Sequence, residues 1–113
     1  MADDGTTPVL ISTKYGCGWS TMVKNKEKQK IMMTSKILVD YVLNQRNQKK
    51  IVLDKDIAEL WNKNYPQYSL PDLRGVSNLV VFWVDKGTPF KVGNMRGAEY
   101  IYVPSDDPSW FIA

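Results

Sequence analysis

Between Ser69 and Val103 the spacing of apolar positions changes once, from a helical to an alternating pattern. Leu73, Val76, Val80, Trp83 and Val84 recur at the interval of one helix face. Ser69 suits an N-cap, Asp72 lies three residues on as a capping-box acid, and Pro71 is tolerated in a first turn. Gly87 and Pro89 supply a stop. The spacing therefore predicts a helix over 69–84. Beyond it, Phe90-Lys91-Val92, the turn residues Gly93-Asn94-Met95-Arg96-Gly97 and the segment 99–103 predict a two-stranded hairpin over 90–103. One stretch conflicts with this reading. Leu79–Val84 is apolar on every side and rich in β-branched residues, which also suits a strand, and Asp85-Lys86-Gly87-Thr88 would then turn 79–103 into a three-stranded meander. The Ser69 cap, the 73/76/80/83 spacing and the Gly87–Pro89 ending agree with one another, and the helix is preferred on that agreement.

Upstream, Ile31, Ser35, Leu38, Tyr41 and Val42 share a face of a first predicted helix running from near Lys26 to near Gln45. A polar break at 46–50 leads to a very short strand at 50–53, placed to pair with the hairpin. Asp54 is the expected N-cap of a second helix that buries Ile57, Leu60 and Trp61 and ends by Asn64, ahead of Pro66. Residues 65–68 turn the chain into the third helix. Residues 1–8 read as a polar leader, and Pro8–Ser12 as a short apolar run that adds a strand or covers a sheet face. Tyr15-Gly16-Cys17-Gly18-Trp19 is a loop whose aromatics either anchor the arm to the domain or stack on bases. The expected organisation is an N-terminal extension (1–24), one domain (25–103) and a tail (104–113). The tail starts acidic and docks its Trp110-Phe111-Ile112 end on the body.

Composition bounds this picture. A chain of 113 residues with 43% apolar content supports one modest core. No apolar run approaches a membrane span, the first residues lack a basic signal-peptide start, and the single Cys17 fits a reducing compartment. The expected location is cytoplasmic. The net charge of +3 is unevenly spread: 14–50 hold nine basic and two acidic residues, whereas 51–113 hold six basic and eight acidic. A basic block of that kind either attracts polyanions or serves as a solvated helix start.

The sequence contains no histidine, which removes a Ser-His-Asp triad, a Cys-His pair and His-ligated zinc. Cys17 lies between glycines without an activating partner. Asp54-Lys55-Asp56 and Glu59 lack the glycine and the bidentate acid of a calcium loop. No Gly-rich phosphate loop occurs. Neither an enzyme nor a cofactor is expected.

Helix, short strand, helix, turn, helix, hairpin is the order of a winged helix-turn-helix domain. The segment Val76–Gly87, then Phe90-Lys91-Val92 and Ala98-Glu99-Tyr100-Ile101-Tyr102-Val103, resembles that superfamily, and size and extension are similar to small bacteriophage regulators. The resemblance implies an α+β fold of three helices and a small antiparallel wing, with the third helix in the major groove of double-stranded DNA and the wing on backbone or minor groove. Mapped by position, Arg74, Ser77 and Asn78 would face bases; Arg and Asn have the donors for guanine and adenine. Lys91, Asn94 and Arg96 would sit on the wing. Tyr68, Ser69 and Lys86 would add backbone contacts, with Lys28 and Lys36 contributing from the basic block. Against this, the recognition half carries no positive surplus, so the block must swing against the backbone or a homodimer must pool charge. The alternative is a protein-interaction module on the same fold, such as one that engages transcription machinery.

Overall fold

The structure, a computed structural model, describes residues 5–14, 18–102 and 111–112. Residues 1–4 of the expected polar leader, Tyr15 to Cys17 and most of the tail lie outside the described residues, while Thr6 to Pro8 of that leader open a strand. Strand β1 (Thr6–Ser12) comes first, followed by a 3-10 turn at Ser20–Met22 and helices α1 (Lys26–Thr34), α2 (Lys36–Asn47) and α3 (Asp54–Asn64). A 3-10 turn at Val76–Asn78 leads into β2 (Leu79–Asp85), β3 (Pro89–Met95), β4 (Ala98–Tyr102) and the two-residue β5 (Phe111–Ile112). The class is α+β, with two small antiparallel sheets ordered β1-β2 and β4-β3-β5.

The first predicted helix is present but broken at Ser35. That residue has φ −57° and ψ 122°, and its hydroxyl accepts from the Leu38 N–H at 3.4 Å, so one residue ends α1 and caps α2. The second predicted helix matches α3, although Leu53 and not Asp54 occupies the cap position. Tyr41 ties α2 to α3: its hydroxyl donates to Asp56 Oδ2 at 2.7 Å and accepts from the Leu53 N–H at 3.0 Å. The short strand expected at 50–53 is irregular backbone; Gln45 Nε2 donates to the Ile51 carbonyl there at 2.7 Å.

The third predicted helix is absent. Residues 69–75 are irregular, the 3-10 turn covers only Val76–Asn78, and Leu79–Asp85 is extended. The expected capping residues do other work: Ser69 accepts from Lys28 Nζ at 3.0 Å, and Asp72 takes the Arg74 backbone N–H at 3.0 Å. Gly87, with φ +83°, belongs to a tight turn in which the Thr88 N–H donates to the Asp85 carbonyl at 3.1 Å. Nor does a meander form, because β2 pairs with β1 and not with β3.

The β1–β2 register shows why a strand wins here. Thr6 lies opposite Asp85 and Ser12 opposite Leu79. The two-strand sheet has a core on each face. Leu10 and Leu79 pack with Trp19, Met32, Leu38, Val42, Ile57 and Trp61 from the helical side, and Val81 packs against them. Val9, Ile11 and Val84 pack with Met33 and Phe90, and Val80, Val92 and Ile101 join them from the hairpin side. A segment that is apolar on both faces needs two buried faces, and a strand between two cores provides them. A helix on the surface would not.

The wing-like hairpin is present. β3 and β4 pair from Lys91–Tyr102 to Met95–Ala98, and the two central turn residues, Arg96 (φ 55°) and Gly97 (φ 95°), both take the left-handed conformation that primed hairpin turns require. Asn94 Oδ1 accepts from the Gly97 N–H at 2.8 Å and so pins the turn. The Tyr100 ring lies directly over Gly93, its cross-strand partner.

The hairpin is held to β1 by Glu99, a residue only 3% exposed. Its Oε1 accepts from the Ser12 N–H at 3.0 Å. Its Oε2 accepts from the N–H groups of Trp19 at 2.7 Å and Thr21 at 3.0 Å, and from the Thr21 hydroxyl at 2.6 Å. No helix among the described residues is long and apolar enough to cross a membrane. Glu99→Gln keeps the size but turns an NH2 toward backbone donors, and is expected to lower unfolding stability by about 2–4 kcal/mol. Urea unfolding followed by far-UV circular dichroism checks this; a loss below the resolution of the method would show that the carboxylate is replaceable.

Candidate functional site

The groove-reading residues expected from the sequence are not presented by a helix, and most are engaged within the chain. Arg74 Nη2 meets Asp72 Oδ2 at 2.6 Å and its Nε bonds both carboxylate oxygens, at 3.1 and 3.0 Å. Ser77 Oγ donates to Asn78 Oδ1 at 3.3 Å, and Asn78 is half-buried. Tyr68, Ser69 and Lys28 do come together. Tyr68 donates from its hydroxyl to Glu27 at 3.3 Å, beside the Lys28–Ser69 bond. Lys36 pairs with Asp40 at 2.7 Å one helical turn away. On the hairpin, Asn94 donates to the Thr21 hydroxyl at 2.8 Å, Arg96 stands exposed at the tip, and Lys91 and Lys86 are exposed. No group of three or more potential metal-ligating acids or thiols occurs among the described residues.

A different surface stands out: the free edge of β2. The Thr13 N–H donates to the Asn78 carbonyl at 3.5 Å, and the Lys86 N–H to the Gly5 carbonyl at 2.9 Å. With the register of the ladder, these fix which β2 residues bond to β1: Val80, Phe82 and Val84. Pro8, which has no N–H, falls opposite Trp83 at a position where none is needed. Leu79, Val81, Trp83 and Asp85 therefore turn their N–H and C=O groups away from β1. Among the described residues no strand pairs there, and no hydrogen bond reaches the outward groups of Val81 or Trp83.

The ends of this open stretch are marked. Arg46, at the end of α2, donates from Nε and Nη2 to the Leu79 carbonyl at 3.1 and 2.6 Å, and from Nη2 to the Ser77 carbonyl at 3.1 Å. At the other end the Asp85 carbonyl is taken by the Thr88 N–H. Between them Phe82 and Trp83 are 47% and 40% exposed. Successive residues of a strand point to opposite faces, so one aromatic flanks the edge on each side. Both are aligned along the same open row of backbone groups.

From the sequence, Arg46 belongs to a polar break and Glu99 to a closing strand. The signal available for Glu99 was a lone acid between Ala98 and Tyr100 in an otherwise apolar strand. For Arg46 no sequence signal exists, because its partners are main-chain carbonyls 31 and 33 residues away.

Comparison with protein-family models, with curated proteins and with solved structures finds no match.

Two outcomes follow from these side chains. Arg46→Ala uncovers the Leu79 carbonyl and strips the arginine stem from the edge, and is expected to cost about 1–2 kcal/mol in urea unfolding. Asp72 behaves differently. Hydrogen bonds from the Arg74 side chain and then its backbone N–H hold the Asp72 carboxyl below its usual range. A lowered folded-state value contributes stability at pH above the unfolded value and loses it as pH falls through the folded one. The pair is exposed and screened, so Asp72→Asn is expected to cost at most about 1 kcal/mol at neutral pH. That difference should shrink to nothing on acidification below the lowered carboxyl range, as thermal unfolding across a pH series would register.

Proposed function

We propose that this chain is a protein-interaction module that takes an extended segment of a partner onto the free edge of β2 by strand addition. The observation that carries the reading is the outward backbone of Val81 and Trp83, unbonded among the described residues and flanked by the exposed Phe82 and Trp83 side chains. Main-chain hydrogen bonds supply affinity in such docking, and flanking side chains supply selectivity. Aromatic residues are enriched where interfaces form.

The winged helix-turn-helix reading keeps support from α2, α3 and the β3–β4 hairpin, which follow in the expected order. It loses its groove-reading element, because residues 69–84 form an irregular crossing and a strand. DNA binding then rests on the basic excess of 14–50 and the exposed tip at Arg96, without a rod to enter a groove.

A photo-crosslinking amino acid placed at position 82 or 83 in cells, with lysates treated with nuclease, tests the module. Discrete higher-mass protein adducts are expected from those positions and none from the exposed Lys63 on α3. Absence of adducts at 82 and 83, adducts equal to those at 63, or adducts that nuclease removes would overturn it.

A further inference from the structure

We infer that the segment received by this edge is β2 of a second copy of the chain, paired antiparallel about a two-fold axis at Phe82; the inference rests on the strand-addition reading. The strand runs from Leu79 to Asp85, so its midpoint is Phe82. An isologous pair centred there sets Val81 opposite Trp83 of the other copy, and Trp83 opposite Val81. These are the two residues whose N–H and C=O groups point outward and carry no hydrogen bond among the described residues. Val81 and Trp83 exchange both bonds with their counterparts, which satisfies every one of those groups in both copies.

The same axis makes Phe82 face Phe82 of the other copy at a closely spaced, non-hydrogen-bonded position, where side chains approach most. On the opposite sheet face, Trp83 lies over Val81 of the second copy. Val80 falls opposite Val84, extending the apolar face that already packs on the hairpin. Apolar residues therefore meet apolar residues at every inner position.

Charge agrees with this register. Asp85 of one copy arrives level with Leu79 of the other, whose carbonyl is held by Arg46. Each copy thus brings an exposed carboxylate toward an exposed guanidinium, and the axis repeats the contact at both ends. A parallel arrangement would instead put Asp85 beside Asp85 and Arg46 beside Arg46. The product of the antiparallel arrangement is a continuous four-stranded sheet, with β1 outermost in each copy and the two β2 strands at the centre.

Sedimentation equilibrium of the full chain tests the axis. The parent is expected to be a dimer at roughly 100 µM. Phe82→Lys and Phe82→Glu each place like charges face to face on the axis, and each is expected to weaken the dimer at least ~100-fold. Mixed in equal amounts, the two variants should re-form a dimer containing one copy of each, an outcome that a merely misfolded variant cannot produce. Trp83→Pro serves as a second variant. It removes an outward N–H that β1 does not use, and should give a folded monomer by circular dichroism. A parent that stays monomeric, a dimer indifferent to these substitutions, or a mixture that fails to re-associate while both variants are folded would overturn the inference. If the parent is monomeric while crosslinks from position 83 capture a different protein, self-pairing falls and the docking reading stands. If position 83 captures nothing, both fall.

Discussion

The fold depends on one buried carboxylate. Glu99 stands on β4, and its donors come from the end of β1 and from residues 19–21. The first of these lies about eighty residues along the chain from the other two, and β4 shares no ladder with β1. A carboxylate that leaves water must recover its hydration from the protein, and a charged acceptor draws on several donors at once. Here three backbone N–H groups and one hydroxyl converge on it. The turn that leads from β1 toward α1 is thereby locked to the hairpin. Trp19, in that turn, can then drive its indole into the helical core, where Nε1 donates to the Met32 carbonyl at 2.7 Å.

That arrangement leaves the two-stranded sheet asymmetric. On the side of β1 away from β2, Pro8 offers no donor, and the Ser12 N–H is consumed by Glu99. Among the described residues the corresponding side of β2 is bonded only at its ends, by Arg46 at Leu79 and by the turn at Asp85. Exposed strand edges invite pairing, and natural proteins usually blunt them with charge, proline or short length. The β1 strand is buried from Val9 to Ser12, whereas β2 exposes Phe82 and Trp83 at its middle. The contrast within a single sheet is the physical ground for treating the β2 edge as a surface with a use.

Much of the helical half was legible in the sequence, because its signals are local. The α3 pattern of Asp54, Ile57, Leu60, Trp61 and the stop before Pro66 needs nothing from outside the segment. The hairpin was also legible, through Gly93-Asn94-Met95-Arg96-Gly97 and its flanking apolar residues, although Gly93 to Met95 belong to β3 and only Arg96 and Gly97 make the turn. The break at Ser35 was not, since a serine on a helix face and a serine that caps the next helix have the same neighbours in sequence. The larger departure lies at 69–85. Helical spacing at Leu73, Val76, Val80 and Trp83 coincided with an N-cap-like serine, and those local signals pointed one way. What decided the outcome was distant: the run Val9-Leu10-Ile11-Ser12, about seventy residues earlier, arrives as a partner strand. Strand propensity expresses packing against such neighbours, and a single stretch carries no record of which neighbour comes. The candidate site was hidden for the same reason, since it is the edge left over once β1 has paired.

The basic block acquires a different sense in this light. Of its members, Lys28 bonds Ser69, Lys36 pairs with Asp40, and Arg46 caps carbonyls at the start of β2. Part of the positive charge is thus built into the fold and is not an open field for polyanions. What remains of the net +3 keeps copies apart at long range, while the apolar run Leu79–Val84 favours contact at short range. A strand of that composition with an open edge would feed indefinite stacking if each addition exposed a new edge. Pairing about a two-fold axis consumes both edges in one event and leaves β1, already blunted by Pro8 and Glu99, on the outside. Closure of this kind reconciles a sticky central strand with a small folded chain.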